Sequence, residues 1–107
     1  MHKSKKVQNA LTKIGNDISL ARRKRHISMD SMAKRIGIAV STLSRIEKGD
    51  STVAWGTIVA ALEILGKLTF LENILDSAQD ELGLGLMESK VPQRIRRKII
   101  NKETGAL

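Results

Sequence analysis

Residues 27–49 read ISMDSMAKRIGIAVSTLSRIEKG, and this run constrains the fold more than any other part of the chain. Two short apolar stripes at helical spacing, Met32–Ala33–Ile36 and Val40–Leu43–Ile46, lie on either side of Gly37. Ser28 is placed to cap the first helix, and Asp30 falls in its first turn, where negative charge suits the helix dipole. Gly37 ends that helix as a left-handed cap glycine does, at a point where a side chain is expected to clash. Gly49 closes the second helix. Ala33 is small because the two helices are expected to cross closely there. Ile38, Leu43 and Ile46 pin the second helix to a core, which leaves Ala39, Val40, Ser41, Ser44 and Arg45 on its free face.

The rest of the chain reads as further helices around this pair. Leu11, Ile14, Ile18 and Ala21 predict a helix over about 8–25, preceded by a flexible basic arm in residues 1–7. Ile58, Ala61, Leu62 and Leu65 mark a helix over about 54–65 that ends at Gly66. Thr69-Phe70-Leu71-Glu72 has the capping-box pattern, so a fifth helix is expected to run to about Ala78 and to bury Phe70, Leu71, Ile74, Leu75 and Ala78. That places one helical domain over residues 8–78 and a C-terminal extension over 79–107. The extension contains Pro92, suited to the first turn of a short last helix, although a disordered basic tail is the alternative.

Composition narrows the partners. The chain of 107 residues has a formal net charge of +8 and the charge is segregated. The first quarter sets Lys3, Lys5, Lys6, Lys13, Arg22, Arg23, Lys24 and Arg25 against Asp17 alone. Lys90 to Lys102 holds six cations and no acid, while residues 61–88 hold six acids and only Lys67. Positive charge so distributed on a small domain points to a polyanion, most often nucleic acid. The absence of cysteine excludes disulfides, thiolate metal sites and cysteine nucleophiles, and fits a reducing compartment. No run approaches the ~18 apolar residues of a membrane span and no leader-type apolar segment follows the basic start. A cytoplasmic, nucleoid-associated protein is the expectation.

No catalytic constellation is visible. His2 and His26 have no acid at metal-ligand spacing, Asp80-Glu81 reads as surface charge, and no glycine-rich phosphate loop or Ser/His/Asp set is present. The chain is therefore expected to be no enzyme and to use no metal or cofactor. Trp55 is expected to be a packing residue of the core or an interface.

Two short helices joined by a tight turn make a helix-turn-helix, whose second helix fits the major groove of B-DNA. The marks Met32-Ala33, Ile36-Gly37, Leu43, Ile46-Glu47 and Gly49, followed by Ile58 and Leu65-Gly66, resemble the Cro/phage-repressor (XRE-type) helix-turn-helix family over about residues 14–66. The resemblance implies an all-α, five-helix lambda-repressor-like domain that binds DNA as a two-fold dimer, here with a basic C-terminal extension. It places Val40, Ser41, Ser44 and Arg45 where the family reads bases, with Arg45 the strongest candidate because bidentate Arg to guanine is the commonest specific contact. It places Ser28, Met29, Ala39, Lys48, Ser51 and Thr52 near phosphates; Met29 and Ala39 depart from the polar residues usual there. It pairs Arg22 with Glu47 in a structural salt bridge, against the plainer reading of Arg22 as a phosphate contact.

Beyond that domain, Leu65-Gly66-Lys67-Leu68, Phe70 to Leu75, Asp80 to Leu86 and Val91 to Lys98 follow in an order that looks like HipB-like antitoxins. That resemblance implies a homodimer repressing its own operon at a palindromic operator and binding a HipA-like Ser/Thr kinase toxin. A stand-alone phage- or plasmid-type repressor is the alternative, and a protein-interaction module that has lost DNA binding is a third reading. The tail either adds phosphate contacts or docks on a protein through Leu82, Leu84, Leu86 and Ile95.

Overall fold

The computed structural model describes residues 4–76, which form five helices in sequence: α1 Lys5–Lys24, α2 Met29–Ile36, α3 Val40–Glu47, α4 Trp55–Ile64 and α5 Leu68–Glu72. No strand occurs among the described residues, and the architecture is the lambda-repressor-like one the sequence implies. The chain divides between Glu72 and Asn73, so all five helices belong to the first unit. The expected extension from residue 79, including the helix behind Pro92, lies outside the described residues.

The core is small. Ile18, Met32, Ala33, Leu43, Ile46, Ala61 and Leu65 are buried, so each of α1 to α4 contributes to it. Met32 and Leu43 are fully enclosed, which fixes α2 and α3 against the rest. Among the described residues no buried side-chain polar atom lacks a hydrogen-bond partner, as a stable core requires.

Helix ends repeat one device. After α1, His26 N–H donates to Arg23 O at 2.9 Å and Ile27 N–H to Arg22 O at 3.1 Å, the paired bonds of a Schellman cap. After α3 the same pair runs from Gly49 to Ile46 and from Asp50 to Arg45, and after α4 from Gly66 to Glu63 and from Lys67 to Leu62. His26 adopts the left-handed φ of 55° that glycine takes elsewhere. Gly37 has φ 87°, and a Cβ built there meets nothing within 4 Å. Its necessity is therefore conformational, and the steric clash expected from the sequence is absent. At Gly15 the reason is space: a Cβ would lie 2.6 Å from Ile46 O and 2.7 Å from Glu47 O, so this glycine lets α1 approach the C-terminal end of α3.

Three expectations change. The helical stretch begins at Lys5, with Ser4 Oγ accepting from Val7 N–H at 3.2 Å, so residues 5–7 of the expected arm are helix. A serine cap was available at Ser4, and Lys5 and Lys6 enter the first turn despite its unfavourable dipole. Helix α5 starts at Leu68, which puts Thr69 inside it, and it stops at Glu72 where Asn73 opens a turn closed by Asp76 N–H to Asn73 O. Phe70, Ile74 and Leu75 are then exposed, Phe70 under the Lys67 ammonium at 5.8 Å from its ring centre. Ala78 lies outside the described residues. Trp55 is 68% exposed and belongs to no core; it lines an apolar groove of about 300 Å³ with Leu11, Ile14, Val53 and Ile58.

Candidate nucleic-acid interface

The site is built on α3. An eight-residue helix turns about 100° per residue, so burying Leu43 and Ile46 sends the intervening positions outward. Ser41 and Arg45 are exposed, Val40 is 39% exposed, and Ser44 is half-buried. These four expected base-reading residues thus share the side of α3 away from its core contacts. The helix begins at Ala39, whose methyl side chain makes no cap, so the amides of the first turn have no side-chain acceptor. Ser28 caps α2 by accepting from Ser31 N–H at 3.0 Å.

The orientation of α3 is set from behind. Arg22 Nε donates to Glu47 Oε2 at 2.7 Å and Nη2 to Glu47 Oε1 at 3.1 Å, while Nη1 donates to Ile27 O at 2.9 Å. Both side chains are nearly enclosed, at 9% and 10% exposure. The hydrogen bond to Glu47 raises the Arg22 pKa further above its ordinary value, against the opposing effect of burial. One guanidinium therefore joins the end of α1, the approach to α2 and the end of α3. Gln8 Nε2 adds a bond to Gly49 O at 3.0 Å, and Arg25 Nη2 one to Leu65 O at 3.0 Å. Neither role was legible in the sequence, because both side chains bind backbone carbonyls, which leave no pattern in side-chain types.

On the opposite side of α3 a second arginine is held by the loop that follows. Arg45 Nε donates to Asp50 Oδ2 at 2.9 Å and Nη2 to Thr52 Oγ1 at 2.8 Å. Thr52 in turn donates to Asp50 Oδ1 from its hydroxyl at 2.6 Å and its backbone N–H at 2.7 Å, an Asx turn closed on itself. The Thr52 hydroxyl above all, then the Arg45 guanidinium, holds the Asp50 carboxyl well below the usual carboxylate range. Asp50 was absent from the expected site. Its signal was an acid five residues after Arg45, directly following Gly49 and opening a turn-forming Asp-Ser-Thr run.

A family model described as helix-turn-helix matches residues 18–72, just over half of the chain. The chain belongs to this helix-turn-helix family of the Cro/phage-repressor type. It is accordingly a DNA-binding transcriptional regulator. No curated protein matches the chain.

In this helix-turn-helix protein α3 is the second helix of the motif and α2 the first, joined through Gly37, Ile38 and Ala39. Arg45, expected at a base, and Thr52, expected at a phosphate, are brought into one cluster. Lys48 and Ser51 are exposed beside it. Met29 packs against the core, so its backbone N–H in the first turn of α2 is the group it can offer a phosphate. Among the described residues no helix is long and apolar enough to cross a membrane, and no cluster of His, Cys, Asp and Glu could hold a metal ion.

Proposed function

We propose that this regulator is a sequence-specific autorepressor that reads a palindromic operator as a homodimer. Val40, Ser41, Ser44 and Arg45 of α3 meet base edges, and Ser28, Met29, Ala39, Lys48, Ser51 and Thr52 line the flanking phosphates. One observation carries this reading: the outward side of α3 presents a long cation, Arg45, among small residues that let the helix sit deep in a groove. Phe70, exposed on α5, is the kind of apolar surface a two-fold partner would cover. Half-sites then recur about one helical turn, roughly 34 Å, apart.

The proposal extends to the antitoxin role, in which the dimer also binds a HipA-like Ser/Thr kinase. Its support is the order of motifs from Leu65 to Lys98, most of which follows the DNA-binding domain. A stand-alone repressor is the competing outcome.

The test is a gel shift on the DNA upstream of its own gene against scrambled DNA, at ~150 mM salt where non-specific binding is weak. The proposal expects a sharp preference for the upstream DNA, and a further shift when a neighbouring kinase is added. Equal weak binding to both duplexes would sink the operator reading. Strong operator binding with no response to the kinase would leave the repressor and remove the antitoxin role.

A further inference from the structure

A guanidinium carries five N–H donors in a rigid planar fork. Two of them, on Nε and on the near side of Nη2, form a side edge; two others, one on each Nη, form the end edge. In Arg45 the side edge is taken, by Asp50 Oδ2 and Thr52 Oγ1 at 2.9 and 2.8 Å. The two acceptors are themselves locked together through the Thr52 hydroxyl and N–H. Asp50 is anchored in turn by its backbone, whose N–H caps α3 on Arg45 O at 3.0 Å. The end edge of Arg45 has no partner among the described residues, and its two parallel N–H donors can reach O6 and N7 of one guanine.

We propose that Asp50 and Thr52 are specificity-determining positioning residues, which clamp Arg45 by its side edge so that its end edge is presented to one guanine of the operator. This rests on the reading of Arg45 as a base-contacting residue. A free arginine must give up much rotamer freedom to make a bidentate contact. A clamped one has given it up before DNA arrives, so misaligned contacts to other bases are excluded as well. The charge at Asp50 separates this from the simplest rival, a latch that hides Arg45 from DNA. A carboxylate at a DNA-facing surface repels the polyanion, so removing it favours binding to any sequence. A clamp predicts that discrimination falls as that general affinity rises; a latch predicts that both rise.

The experiment uses the full chain and the duplex that the wild-type protein enriches from a random pool. Dissociation constants are measured on this duplex and on each single base-pair substitution of it, at ~150 mM salt. We expect Asp50→Asn to lower discrimination at one G·C pair on the order of tenfold, within the usual worth of a single base pair, leaving discrimination at the other positions unchanged while affinity for every duplex rises. Thr52→Val lowers discrimination at the same pair more weakly, any loss of its phosphate contact falling equally on every duplex, and Thr52→Ser, which keeps the hydroxyl, keeps discrimination. In an Arg45→Ala background, Asp50→Asn adds no further loss at that pair. If Arg45→Ala collapses discrimination while Asp50→Asn and Thr52→Val keep or sharpen it, the clamp is overturned and the base-reading role of Arg45 stands. If Arg45→Ala leaves every position discriminated, that role fails and the clamp with it; a pool with no enriched sequence overturns both. Should Asp50→Asn fail to fold, the Thr52→Val and Thr52→Ser pair decides.

Discussion

Two arginine–carboxylate pairs hang on opposite sides of α3, and their local chemistry is nearly identical. Arg22 and Glu47 meet at 2.7 Å with side chains 9% and 10% exposed; Arg45 and Asp50 meet at 2.9 Å with side chains 47% and 31% exposed. In each, the arginine uses Nε and Nη2. The difference lies in the third donor. Nη1 of Arg22 turns to the Ile27 carbonyl and closes the pair inside the fold, whereas Nη1 of Arg45 has no protein partner among the described residues. The same contact is closed into the fold when the third nitrogen finds a carbonyl, and keeps an edge open when it does not. Burial, rather than bond length, sorts the two.

The largest effect follows from stripping the buried pair. Removing one partner of an enclosed ion pair leaves a charge without compensation, at a cost of about 3–5 kcal/mol. In a domain this thin the low end applies, so Glu47→Ala should lose about 3 kcal/mol in urea unfolding with an unchanged m-value. The double replacement Arg22→Met with Glu47→Leu should recover much of that loss, because no orphan charge remains. A loss below about 1 kcal/mol for Glu47→Ala would place this pair with exposed ones and end the contrast.

Next comes the packing that encloses the pair. A Cβ at Gly15 would strike the backbone carbonyls of Ile46 and Glu47 at 2.6 and 2.7 Å, and backbone cannot swing aside as a side-chain tip does. Gly15→Val should therefore push α1 off the end of α3 and cost about 1–3 kcal/mol, the range for overpacking. It should also loosen Arg22 from Glu47, so the losses from Gly15→Val and Glu47→Ala should combine to less than their sum. Full additivity would show that the two features are independent.

Much of this was legible from residue types. The stripes at Met32, Ala33, Leu43 and Ile46 and the stop at Gly37 are enough to place α2 and α3, because each helix is short and its core side is unambiguous. The end of α5 was not legible. An apolar run through Ile74 and Leu75 reads as a buried helical side, but burial also requires something to lie against, which a single chain's periodicity does not report. Trp55 was expected in the core or an interface, and its exposure removes the core alternative for the same reason. The Arg22–Glu47 pair came from resemblance, since 25 residues separate the partners. Asp50 was missed because one acid beside one arginine is common on any surface; what distinguishes it is the Asx turn through Thr52, a matter of backbone geometry.

The smallest expected effect separates the pairs by acid. Asp50 ionises in the folded protein well below the usual carboxylate range, chiefly because Thr52 and then Arg45 bond to the charged form. Such a group contributes stability that is present above the unfolded value of about 4 and is lost as pH falls toward the folded one. The exposed cluster is well solvated, so the loss is slight and the fold survives it. Arg22, with its pKa raised, keeps its proton at every acid or neutral pH. Wild type and Asp50→Asn should therefore melt at nearly the same temperature at pH 7, and the small gap should close as the solution is acidified below about pH 4. The carboxyl carbon of Asp50, followed by NMR, should still report the charged form at pH 4, where an ordinary aspartate is about half protonated. A midpoint at the ordinary value would mean that the cluster is not held together in solution, and that Arg45 meets DNA as a loose side chain.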